Sequence, residues 1–268
     1  VSLELGTDEL LFERRGAEGE IGWVTFNRPQ ARNALTFAMY EGVASVAEEA
    51  NRDRSLRALV FRGAGGRAFA AGTDISQFRA FQRDQDALDY EARMDRVLSG
   101  LEDVRVPTIA AIQGACTGGG AAIAAACDLR LSSPTGRFGF PVARTLGNTL
   151  SISNLARLTA LLGMARVKDL LFTARLMGAQ EGLSVGLFNE VTADEESLFP
   201  RAEELAATLA SHAPLTLETT KEGLRRIRAR MVPEGGGSDL IVKAYMSRDF
   251  KEGVEAFLAK RPPRWRGE

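Results

Sequence analysis

The chain has 268 residues, 45% of them hydrophobic and 26% charged, an ordinary composition for a globular protein long enough to bury one substantial core. Thirty-four Lys and Arg against 35 Asp and Glu leave a formal charge of −1, so no global field draws it to nucleic acid or to an anionic membrane. Two cysteines, Cys116 and Cys127, and one histidine cannot build a disulfide framework or, by themselves, a four-ligand zinc site. No apolar run approaches the roughly 18 residues of a membrane span, and the opening segment VSLELGTDELLFERRGAEGE lacks the basic and apolar parts of a secretory signal. A reducing, cytoplasmic setting is the expectation.

In chain order, Leu10 to Arg15 and Ile21 to Phe26 read as two short strands around the turn residues Gly16 to Gly19, a hairpin. Asn33 or Thr36 can cap a helix carrying Met39, Val43 and Val46. Ala58 to Phe61 follows as a buried strand broken by the GAGG run, and a charged amphipathic helix is predicted over 79–100. Thr108 to Ile112 and Leu129 to Leu131 are further apolar strands, separated by a Gly-rich loop and an Ala-rich helix. Two helices punctuated by Gly163 span 151–173, a short helix lies within Gly178 to Gly186, and Leu187 to Thr192 reads as a closing strand. Beyond Glu195 the pattern is helical only, with breaks at Pro214 and at the PEGGG of 233–237. His212 falls at the end of one of these helices, where an imidazole commonly sits near the last carbonyls. The change near residue 195 predicts an α/β core over 1–194 and a helical region over 195–268.

Two Gly-rich segments stand at strand-to-helix junctions: Ala70-Ala71-Gly72-Thr73-Asp74 and Gly114-Ala115-Cys116-Thr117-Gly118-Gly119-Gly120. Neither has the Gly-Lys-Ser/Thr of a P-loop or the glycine spacing of a Rossmann motif, so no nucleotide cofactor is expected. Such loops serve tight turns and close packing. Where two converge, they offer free backbone N–H groups to a developing oxyanion. Asp74 is expected to cap the helix after its loop rather than act as a base, and Tyr90, Glu91 and Asp95 to lie on a solvated helix face, or else to border a substrate pocket.

The run Val24-Thr25-Phe26-Asn27-Arg28-Pro29 with Asn33-Ala34-Leu35, then Ala68-Phe69-Ala70-Ala71-Gly72-Thr73-Asp74-Ile75, then Pro107 to Gly114 with Gly118-Gly119-Gly120 and Cys127-Asp128, resembles the enoyl-CoA hydratase/isomerase family of the crotonase superfamily. The likeness extends to Asp249-Phe250-Lys251-Glu252-Gly253-Val254 near the C-terminus. It implies a crotonase-like spiral of β-β-α turns with a helical C-terminal trimerisation region, in trimers or dimers of trimers. It also implies an acyl-CoA thioester, with coenzyme A part of the substrate and no separate cofactor. By this resemblance the backbone N–H groups of Thr73 and Gly119 would hold the thioester oxygen. Ala31, Arg32, Ala71, Gly72, Asp74 and Ile75 would lie along the coenzyme A, with Phe257 and Lys260 of a neighbouring subunit beside its nucleotide part.

The sequence departs from the family's hydratase pattern at two positions. Hydratases carry one glutamate two residues after the last glycine of the GGG loop and another after the proline of Phe-Gly-x-Pro. Here these positions hold Ala122 and Val142. Without a general base and acid, ordinary hydration is expected to be very slow or absent. Another lyase or isomerase reaction, thioester hydrolysis, or acyl-CoA binding without turnover remain as readings. Asn148 and Thr149 are expected to cap and solvate the helix beginning near Ser151, or else to face the acyl pocket. The segments Leu146-Gly147-Asn148, Asn154-Leu155, Leu171 to Ala174 and Gly186 to Val191 are similar to the superfamily's methylmalonyl-CoA decarboxylases, with Leu150 where those carry a tyrosine.

Overall fold

The computed structural model describes residues 3–234 and 236–268. The hairpin forms where the sequence puts it: β1 (Leu10–Arg15) and β2 (Ile21–Phe26) pair antiparallel, Leu10 opposite Phe26. Thr36 caps α1 (Phe37–Arg52), its hydroxyl accepting the Met39 N–H at 3.3 Å. Asn33 takes a different part. Its buried side chain accepts from the Arg28 N–H and donates to the carbonyls of Ala64 and Ala68, clamping the loop after β2 to the strands that follow.

From β3 (Ala58–Gly63) onward the chain winds in repeated turns, each adding one strand to each of two sheets and then a helix. The first is β3, β4 (Ala68–Ala71) and α2 (Asp84–Glu102); the second β5 (Thr108–Ile112), β6 (Ala115–Thr117) and α3 (Gly119–Ala126). The third is β7 (Leu129–Ser132), β8 (Arg137–Gly139) and α4 (Val142–Thr145). α5 (Ile152–Thr173) leads to β9 (Met177–Gly178), α6 (Ala179–Ser184) and β10 (Glu190–Val191). The larger sheet has the order β1-β2-β3-β5-β7-β10, the smaller β4-β6-β8-β9. This is the β-β-α spiral that the motifs imply.

Several boundaries differ from the sequence reading, two of them for a clear local reason. The helix expected over 79–100 starts at Asp84, because the Asp86 carboxylate accepts the Gln82 and Arg83 N–H groups at 2.9 Å each and fixes the first turn there. Ile75–Ala80 is instead a 3-10 turn, capped by Asp74 through the Ser76 N–H as expected. The closing strand contracts to β10, since the N–H groups of Leu187 and Phe188 both turn back to the Gly182 carbonyl and their side chains enter the core. Gly163, at φ 73° and ψ 152°, does divide α5 into two helices.

The larger sheet is covered on both faces, so β2 is buried at every residue. One face carries the main core, with Val24, Phe26, Leu59 and Phe61 against α1, α2 and α3. On the other, Ile21, Trp23, Val60 and Ile109 pack under Leu198, Ala202 and Ala206 of α7 (Leu198–Ser211). His212 forms the C-terminal boundary of α7, its N–H bonded to the Leu209 carbonyl. α8 (Pro214–Ala229) begins on Pro214 and buries none of its residues. Finally α9 (Ser238–Tyr245) and α10 (Arg248–Leu258) return to α2, joining Phe78, Ala87 and Leu146 in a third apolar cluster. Among the described residues no helix is long and apolar enough to cross a membrane.

Candidate active site

β4 and β6 run parallel with Ala71 opposite Thr117, so the two Gly-rich segments leave the smaller sheet side by side. Leu35 donates to the Gly72 carbonyl and accepts from the Asp74 N–H, both at 2.8 Å. The Thr73 N–H shares one planar trans peptide with the Gly72 carbonyl, so it points the opposite way and is directed away from Leu35. Gly119 opens α3, where an N–H has no partner within its own helix. The approach is close enough to require glycine. A Cβ at residue 119 would lie 1.9 Å from Tyr40 Oη and 3.0 Å from Thr73 Oγ1.

Thr73, Gly119 and both loops border a cavity of about 180 Å³ walled largely by apolar side chains such as Met94, Leu98, Phe140 and Leu150. Ala122 and Val142 are part of that wall. Thr73 Oγ1 lies 2.8 Å from Tyr40 Oη and 3.2 Å from Tyr90 Oη. Burial raises the pKa of both phenols, so they remain protonated donors at neutral pH.

The expectation of a solvated face for Tyr90 and Glu91 is corrected. Both line the cavity, and Glu91 is only 8% exposed. Tyr245 Oη donates to Glu91 Oε1 at 2.5 Å and accepts from Asn148 Nδ2 at 2.9 Å. Burial pushes the Glu91 carboxyl up to about 7, against the hydrogen bond from Tyr245 and with a smaller push from the charge of Asp95. Asp95 itself faces α5, accepting from Ser151 Oγ at 2.8 Å. Asn148 and Thr149 line the cavity, and capping of α5 falls to Ser151. The Asn148 Oδ1 atom is buried without a hydrogen-bond partner. Among the described residues Glu91 is the single carboxyl on the cavity wall.

The segments named for coenzyme A also meet. The Ala71 N–H donates to the Arg32 carbonyl at 3.1 Å, joining Ala31 and Arg32 to Ala71 and Gly72, and Ile75 lines the cavity. Asp74 pairs with Arg28 at 3.2 Å. Phe257 stands half exposed on the cavity of its own chain, carried there by α10. Lys260 follows in an exposed turn at φ 53° and does not reach the cavity. Sequence reasoning missed Tyr40, which hides on the buried face of α1, and Tyr245, which lies in the helical tail far from every motif. Among the described residues no cluster of His, Cys, Asp and Glu could hold a metal ion.

The fold and the paired loops define a crotonase-type protein. The sequence profile of the enoyl-CoA hydratase/isomerase family matches residues 16–268, and the chain belongs to that family. It is 34% identical over 249 residues to a short-chain-enoyl-CoA hydratase of Clostridium acetobutylicum, covering 91% of this chain and 93% of the relative. Among solved structures, an enoyl-CoA hydratase/carnitine racemase from Magnetospirillum magneticum superposes with a TM-score of 0.78 at 32% identity, covering 98% of this chain and 97% of that one. A methylmalonyl-CoA decarboxylase in complex with 2-nitronate-propionyl-CoA superposes with a TM-score of 0.86 at 26% identity, covering 96% and 98% of the two chains.

Proposed function

We propose that this protein processes an acyl-CoA thioester by stabilising an enolate or tetrahedral oxyanion between the backbone N–H groups of Thr73 and Gly119, and that ordinary enoyl-CoA hydration is not its reaction. The observation that carries this reading is the convergence of the two loops on one largely apolar cavity, with Ala122 and Val142 on its wall. Preorganised N–H dipoles in such a place contribute about 3 kcal/mol each to an oxyanion. Hydration also needs a base to activate water and an acid for the α-carbon, and neither residue supplies one. The backbone at Ala31, Arg32, Ala71 and Gly72, with Asp74 and Ile75, is the proposed track for coenzyme A, with Phe257 and Lys260 near its outer end. In this division residues 1–194 hold the oxyanion donors, and 195–268 complete the cavity and build a trimer or dimer of trimers through the exposed apolar residues of α8. Two unpaired buried thiols fit a reducing, cytoplasmic setting. Isothermal titration with coenzyme A, acetyl-CoA and longer acyl-CoA esters tests the class, and no binding at millimolar ligand would sink it.

A second reading, decarboxylation, draws support from the likeness to methylmalonyl-CoA decarboxylase. Loss of CO₂ yields the enolate without any base, and an apolar wall including Leu150 disfavours the substrate's carboxylate over the products. Carbon dioxide release from malonyl-CoA or methylmalonyl-CoA is its test. Binding of the whole panel without CO₂ release, hydrolysis or proton exchange would mark the protein as an acyl-CoA binder.

A further inference from the structure

The geometry points to Glu91 as the group that moves protons at the α-carbon of the bound thioester, with Tyr245 and Asn148 positioning its carboxyl. This rests on the acyl-CoA reading above and deepens it. The carboxyl comes from α2, whereas Ala122 and Val142 lie on α3 and at the start of α4.

Three observations meet at this residue. Glu91 is the single carboxyl that the described residues bring to the cavity beneath Thr73 and Gly119. Burying a carboxyl without a cation is costly, and no Lys or Arg among the described residues pairs with it. The groups that face it are Tyr40 from α1, Tyr90 and Asp95 from α2 itself, and Tyr245 from α9. Its orientation is fixed by a chain of hydrogen bonds, Asn148 Nδ2 to Tyr245 Oη to Glu91 Oε1, leaving Oε2 without a protein partner among the described residues. On its other side Glu91 borders a cleft formed with Ser151, Ser153 and Ile241, through which its proton can exchange with water.

The step is balanced within the site. Glu91 Oε2, as carboxylate, takes a proton from the α-carbon. The electrons of the broken C–H bond form the enolate double bond, and the charge moves to the thioester oxygen between the Thr73 and Gly119 N–H groups. The new carboxylic acid then returns its proton to the α-carbon, giving exchange, or to the γ-carbon of a 3-enoyl chain, giving the 2-enoyl isomer. One carboxyl suffices for such a shift because it gives back what it took. The substrate class is therefore an acyl-CoA with an acidic α-hydrogen, including 3-enoyl esters.

The experiment follows deuterium incorporation into butyryl-CoA in D₂O and, on the same preparations, butyryl-CoA binding by titration calorimetry. Wild type should exchange at a rate rising with pH through about 7. Glu91→Gln should lose about 100-fold or more of that rate while still binding butyryl-CoA. Tyr245→Phe should bind as well, lose less, and show its pH midpoint moved upward, because the hydrogen bond that favours the charged carboxyl is gone. Exchange by Glu91→Gln at the wild-type rate overturns the assignment, as does a wild type that binds butyryl-CoA without exchange. A wild type that does not bind overturns the acyl-CoA reading itself, and the role of Glu91 with it.

Discussion

Tyr40 Oη lies 2.8 Å from Thr73 Oγ1 in a fully buried contact, and the same phenol fills the space that a side chain at residue 119 would need. One residue of α1 thus buttresses both loops, holding Thr73 by a hydrogen bond and limiting residue 119 by contact.

Gly119→Ala should therefore disturb the loop more than its size suggests. Its methyl must displace the Tyr40 hydroxyl or shift the loop, and misplacing the N–H proposed as an oxyanion donor should cost up to about 100-fold in turnover or α-proton exchange. The double variant Gly119→Ala/Tyr40→Phe should regain part of that loss, because without Oη the nearest Tyr40 atom is the ring carbon at 3.2 Å. An unimpaired Gly119→Ala would show that the site absorbs the methyl without moving the N–H at 119.

With crotonyl-CoA, loss of the enoyl absorbance should run at less than about 1% of the ~10 s⁻¹ typical of enzymes. Turnover within about tenfold of that figure would reveal an acid–base pair that compensates for Ala122 and Val142.

Stability should carry the signature of Glu91. Its folded pKa of about 7 exceeds the ordinary 4.5, so the folded state holds a proton that the unfolded state releases. The resulting stabilisation is complete below pH ~4.5 and is lost as pH rises through about 7, up to about 3 kcal/mol. Glu91→Gln lacks this dependence, so its stability relative to wild type should rise between pH 5 and pH 8. Urea unfolding at the two pH values measures it, and a constant difference would place the carboxyl in water.

Light scattering at micromolar concentration should return a multiple of three times 29.0 kDa. Leu224 and Ile227 are 63% and 70% exposed on α8. Leu224→Glu with Ile227→Glu should shift the mass to 29.0 kDa without loss of helical signal. A wild-type monomer that binds acyl-CoA fully would refute the assembly.

Much of this architecture was legible because long buried strands such as Thr108–Ile112 announce themselves as apolar runs, and Thr36 and Asp74 stand where caps are needed. The short strands of the smaller sheet did not, since β6 and β8 have three residues each, too few to display a period. At the site, the glycine loops could be read directly, because close approach forces residue type. Glu91 could not: it sits in a helix studded with Asp, Arg and Gln, and only docking of α9 turns its face inward. Tyr245 and Phe257 carry no local signal at all, their positions being set by the packing of α9 and α10.

The hydrogen bond between Glu91 and Tyr245 spans 154 positions of sequence, and the aromatic cluster of Phe78, Phe81 and Tyr90 is closed by Tyr245 and Phe250. During synthesis at ~5–20 residues per second, α2 leaves the ribosome on the order of ten seconds before the helices that cover it. For that interval the nascent chain carries an open aromatic trough beside an unpaired carboxyl. The segment that walls the finished protein's cavity is therefore also where its unfinished form is most exposed to mispairing with another chain, and to capture by chaperones that hold apolar surface.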